Sequence, residues 1–179
     1  MVDPVTARVW AYRGVFAGLL FLLAALRLLP VGHGTGQLPG PDLMLALVCA
    51  WVLRRPAFVP APLVVALFLL ADLLLQRPPG LYAALVLAGT EMLRARAGGL
   101  REQPFPVEWG LVSVVLLAMA AANQLVLALL VVDSPPLGLA LLRALVTAAV
   151  YPAVVAVSVW LFGVRRPSPG EVDALGDRL

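Results

Sequence analysis

The sequence predicts an all-α integral membrane protein: a compact bundle of six transmembrane helices with N and C termini in the cytoplasm. Three observations carry that expectation. Hydrophobic residues make up 62% of the 179-residue chain and charged residues 13%, whereas a soluble domain is about half apolar and a quarter charged. The apolar residues fall in six runs that are too long and too bare for a globular core. The arginines then divide unevenly between the two sides those runs define.

The first run, Val9 to Leu29, is long enough to span, and with five more runs following it is not a cleaved signal. The second, Leu43 to Leu53, is short and opens at Asp42. The third, Phe58 to Leu75, is of spanning length and carries Asp72 inside its leucines. The fourth, Leu81 to Leu93, is again short. The fifth and sixth, Trp109 to Val132 and Leu137 to Val164, are long. Short spans are accommodated by flanking residues, bilayer thinning or neighbouring helices. Prolines and glycines punctuate the loops, as in PVGHGTGQLPGP and QRPPG. Residues 1–164 read as one transmembrane domain and residues 165–179 as a short cytoplasmic tail. That tail and the stretch from Arg94 to Glu108 read as mobile surface.

All 13 basic residues are arginine. With the N-terminus inside, Arg8, Arg13, Arg54, Arg55, Arg94, Arg96, Arg101, Arg165, Arg166 and Arg178 fall on the cytoplasmic side. The outer loops, Pro30 to Pro41, Gln76 to Gly80 and Asp133 to Pro136, hold Arg77 alone. Omitting either short helix would spoil this asymmetry. Trp10, Trp51, Trp109 and Trp160 all lie toward inner helix ends, as an interfacial aromatic belt would. The pI near 9.8 does not indicate a nucleic-acid partner, because the arginines sit at the ends of apolar runs rather than in a patch.

Depth follows from this topology. Arg27, Asp42, Asp72, Arg143, Asn123 and Gln124 all fall in the outer half. Buried charges in a membrane pair or face the bundle interior. The expected pairs are Asp72 with Arg143 first, and Arg27 with Asp42 second. Asp42 can equally cap the second helix through its carboxylate. Asp72 stays open between a structural pair, a partner contact and a ligand or proton site.

No catalytic, cofactor or metal site is expected. His33 is the single histidine and sits in a glycine-rich loop, and Cys49 lies inside an apolar run. Ser113 and Ser158 have no helical histidine to activate them. No D-x-x-D-G run occurs, and GHGTGQ lacks the lysine of a phosphate loop. Glu91, Glu102 and Glu108 flank a basic inner loop and read as interfacial.

The chain resembles the rod shape-determining protein MreD family. The likeness rests on Pro41-Asp42-Leu43 opening a short second helix that Arg54-Arg55-Pro56 closes. It also rests on Asp72 late in the third helix, followed by Pro79-Gly80-Leu81 at the start of the fourth, and on the six-helix plan. The resemblance implies a non-enzymatic inner-membrane scaffold of the bacterial cell-elongation machinery, acting in cell shape and peripheral peptidoglycan synthesis. Its implied partners are an MreC-like bitopic protein and, in the wider assembly, MreB filaments, RodA and a class B penicillin-binding transpeptidase. Membrane lipid is a further partner, and nucleic acid is not. The implied fold is like that of the substrate-binding subunits of energy-coupling-factor vitamin transporters. Such a subunit is the rival reading, since an outer polar cluster suits it and Ala7 and Ala11 have the spacing of its docking patch. Asp42, Asp72, Arg143, Arg27 and Gly80 are the structural or partner-binding candidates.

Overall fold

The computed structural model describes residues 4–29, 39–100, 102–132 and 135–164. The expected tail 165–179, Arg101, Asp133, His33 and most of the first outer loop lie outside the described residues. All six apolar runs form helices, and no strand occurs among the described residues. The helices are α1 (Pro4–Leu28), α2 (Leu43–Arg54), α3 (Ala61–Leu74), α4 (Leu81–Leu100), α5 (Phe105–Leu129) and α6 (Leu137–Phe162).

Three helices are long and apolar enough to cross a membrane: α1 over Thr6–Leu28, α5 and α6. The chain is thus a helical membrane protein. With 12 and 14 residues, α2 and α3 rise about 18 and 21 Å, short of a hydrocarbon core of about 30 Å. The third run is shorter than the sequence suggested because prolines break it. Arg55, preceding Pro56, leaves the helical region with φ −143° and ψ 77°. A 3-10 turn at Pro56–Phe58 follows, and α3 begins only after Pro60. α4 is longer than expected and runs past Glu91, Arg94 and Arg96 to Leu100. Much of the stretch from Arg94 to Glu108, expected as mobile surface, is therefore helical.

The central element is α2. Every residue from Met44 to Arg54 is buried, which is how a helix that is apolar all round is accommodated inside a bundle. It packs on α6, α4 and α1, with α3 bridging α1 to α4 and α5 bridging α4 to α6. The outer helices each bury one stripe at helical spacing. In α1 it is Phe16, Leu20 and Ala24; in α3, Val64, Phe68, Ala71 and Asp72. In α6 it is Ala144, Thr147, Ala148, Tyr151, Val155 and Ser158.

α6 contains Pro152, which has no amide hydrogen to give the Ala148 carbonyl. Trp109 Nε1 of α5 donates to that carbonyl instead, at 2.7 Å. Trp51 is fully buried and donates to Ser158 Oγ at 3.1 Å. It is a core residue and not part of an interfacial belt, whereas Trp10, Trp109 and Trp160 are exposed.

Candidate functional site

α2, α4 and α6 all start at the same end of the bundle, and α6 begins at Leu137, well before Thr147, which the Asp42 amide meets. The opposite end of α2 is pinned. There Arg54 Nη1 lies 2.6 Å from Glu108 Oε1, and the Tyr151 hydroxyl donates to the same oxygen at 2.6 Å. Glu108 and Arg54 are buried, so Glu108 is not the interfacial residue the sequence suggested. A short helix anchored at one end leaves a recess at the other. That recess is a cavity of about 530 Å3 between the tips of α2, α4, α5 and α6. Loop residues Pro39, Gln76 and Val132 border it.

Asp42 forms its floor and is buried. Its Oδ1 accepts from the Leu45 amide at 3.2 Å and lies 3.1 Å from Arg27 Nη2. Its Oδ2 accepts from the Tyr82 hydroxyl at 2.8 Å and from Arg27 Nη1 at 3.3 Å. The two roles open for Asp42, cap and ion pair, are thus performed together. The Asp42 amide donates to Thr147 Oγ1 at 2.8 Å, and that hydroxyl donates to the Arg143 carbonyl at 2.7 Å. One residue thereby joins α1, α2, α4 and α6.

Asp72 does not pair with Arg143. Its Oδ2 accepts from the amides of Gly80 and Ala83, each at 3.2 Å, so it caps α4 from the end of α3. The two helices are joined by a turn that makes this reach possible. α3 closes with Arg77 N–H to Asp72 O at 2.9 Å and Gln76 N–H to Leu73 O at 3.4 Å, a Schellman arrangement around Gln76. Gly80 then takes φ +88°, a left-handed value open to glycine. Oδ1 of Asp72 and Nε of Arg143 are buried and meet no hydrogen-bonding atom.

Asp42 and Arg27 therefore meet, and Arg143 shares the cavity with Asp42, while Asp72 and Gly80 sit together beneath the α3–α4 turn. Sequence reasoning passed over Tyr82, Thr147 and Arg77 as cavity residues. The antiparallel order of the helices held the signal, because it places the starts of α2, α4 and α6 together. Arg77 lies over the Tyr82 ring, 4.7 Å from its centroid. Gln124 Nε2 donates to the Pro135 carbonyl at 2.9 Å and closes the α5–α6 connection. The α5 side is mostly apolar, with Leu116, Met119, Ala120 and Leu127, and Asn123 and Gln124 line it as well. Among the described residues no three histidine, cysteine, aspartate or glutamate side chains gather where a metal ion would be held. No family of proteins, curated protein or solved structure matches the chain.

Proposed function

We propose that the chain is a non-enzymatic scaffold of the MreD kind in the bacterial cell-elongation complex. In this reading it lies in the inner membrane with six membrane-embedded helices and both termini in the cytoplasm. It holds the transmembrane helix of an MreC-like bitopic partner and so acts in cell shape and peripheral peptidoglycan synthesis. One observation carries the reading: the residues behind the resemblance are those on which the fold turns. Asp42 opens the central helix and gathers three others around it. Arg54 closes that helix on Glu108, and Asp72 with Gly80 joins α3 to α4. Charged side chains spent on holding shape leave the lipid-facing surface for a partner. α1 offers such a surface, with Phe21, Leu22 and Leu26 exposed. At the Arg54 end, the exposed Arg96 is available to anionic headgroups or cytoplasmic filaments.

The cavity favours a second reading, the substrate-binding subunit of an energy-coupling-factor transporter, since pockets for small molecules span about 300–1,000 Å3. One experiment separates the two. The tagged protein is drawn from native membranes in mild detergent, and everything bound is identified by mass spectrometry. An MreC-like bitopic protein in near-equal amount is expected. Recovery of a membrane coupling subunit with its ATPases would replace the scaffold reading with the second.

A further inference from the structure

We infer that the cavity at the Asp42 end binds an amphiphilic anion, a phosphate or carboxylate head on an apolar body, with Arg143 and Arg77 holding the head. The inference rests on the cavity alone and on neither functional reading above.

Charge comes first. Three cationic groups surround the recess, Arg27, Arg77 and Arg143, and one carboxylate, Asp42, lines it. That carboxylate is already matched: both of its oxygens meet Arg27, one also takes the Tyr82 hydroxyl, and the other the Leu45 amide. Arg77 and Arg143 line the cavity without a salt bridge among the described residues, although Asp42 lies near enough to attract both and Asp72 to attract Arg77. Arg143 presents a buried Nε without any acceptor. The Arg77 guanidinium is positioned over the Tyr82 ring. Both residues are half-buried, so their cations are partly stripped of water and gain from an anion, and a guanidinium presents a planar fork of donors that matches a phosphate or a carboxylate.

Shape and polarity give the rest of the ligand. The α5 wall is mostly apolar, with Leu116, Met119 and Leu127, and carries Asn123 and Gln124 as its polar residues. A small inorganic anion would leave most of about 530 Å3 unfilled, and a neutral apolar molecule would leave both guanidinium groups unpaired. An anion carrying an apolar body answers both walls. Its source is either the headgroup region of an anionic lipid or a water-soluble compound.

The test uses the full chain in phosphatidylcholine nanodiscs. One arm titrates 1-naphthyl phosphate by calorimetry, with 1-naphthol as the neutral counterpart. The other arm counts phosphatidylglycerol retained on the protein by native mass spectrometry. One saturable site for the phosphate, weakened roughly tenfold or more in Arg143→Gln and in Arg77→Gln, supports the inference and a soluble source. A single retained phosphatidylglycerol, lost in the same variants, supports it and a lipid source. Ala140→Phe fills the cavity while keeping both arginines, and it should abolish binding in whichever arm is positive. It also serves, with Arg77→Gln, if Arg143→Gln does not fold. Binding in neither arm overturns the inference. So does binding that survives the arginine changes, or binding unaffected by Ala140→Phe.

Discussion

Removing the Asp42 carboxylate leaves the Tyr82 hydroxyl and the Leu45 amide without their acceptor and the Arg27 guanidinium with the Pro41 carbonyl but no counter-charge. Breaking a buried ion pair from one side costs about 3–5 kcal/mol. Asp42→Ala should therefore lower the thermal unfolding midpoint by several degrees, and Asp42→Asn, which keeps one acceptor oxygen, by less. A variant that melts with the parent chain would show that the hub is not structural. At the opposite end Tyr151→Phe removes a hydroxyl that donates to Glu108 at 2.6 Å. Its expected cost is about 1–3 kcal/mol, and Glu108→Ala, which strands the buried Arg54, should exceed it in the same melting assay. The pairing of Arg27 with Asp42 was legible because both residues flank one loop. Glu108 was not. A glutamate in the first turn of a helix beside a basic loop looks interfacial, and only the depth of α2 brings Arg54 inward to meet it.

At the scale of the helix, boundaries were readable where prolines, glycines and capping residues set them. The start of α2 at Asp42 and the turn at Gly80 are such cases. The length of α3 was not, because apolar Phe58 and Val59 extend the run back into a 3-10 turn bounded by Pro56 and Pro60. The faces were also hidden: uniform leucine, alanine and valine give α2 and α5 similar patterns, yet α2 is wholly enclosed and α5 is open on one side. Two predictions belong here. Trp109→Phe leaves the Ala148 carbonyl without its donor and should cost about 1–2 kcal/mol. In a Pro152→Ala background, where the helix can supply its own amide, that cost should shrink. A double-mutant cycle in detergent measures this, and strictly additive effects would refute the coupling. Val131, at the end of α5, has φ +51°, a left-handed value that costs a branched residue about 1–2 kcal/mol. Val131→Gly should raise the unfolding midpoint, and a fall would mean that the turn is not strained there.

The whole molecule is organised around a helix too short to cross the bilayer alone. Cys49 lies at its centre and is 1% exposed, so it reports on the enclosure. It should resist N-ethylmaleimide in the folded protein and label readily once the bundle opens. A chain ending at residue 132, without α6, should label at once; protection equal to that of the full chain would mean that α6 is dispensable for the core. This central position was not foreseen from sequence, since a membrane bundle hides its interior by packing rather than by polarity. It also sets the order of events during synthesis. The bonds that fix both ends of α2 to α6 join residues 105 and 107 positions apart, Asp42 to Thr147 and Trp51 to Ser158, and Tyr12 waits for Phe162 across 150. At about 5–20 residues per second, the heart of the protein emerges many seconds before the last helix that secures it. In that interval α2 is held by α1, α4 and α5 alone, with the Asp42 amide and the Trp51 indole still lacking their α6 acceptors. The arrival of α6 is the event that turns a row of helices into one body.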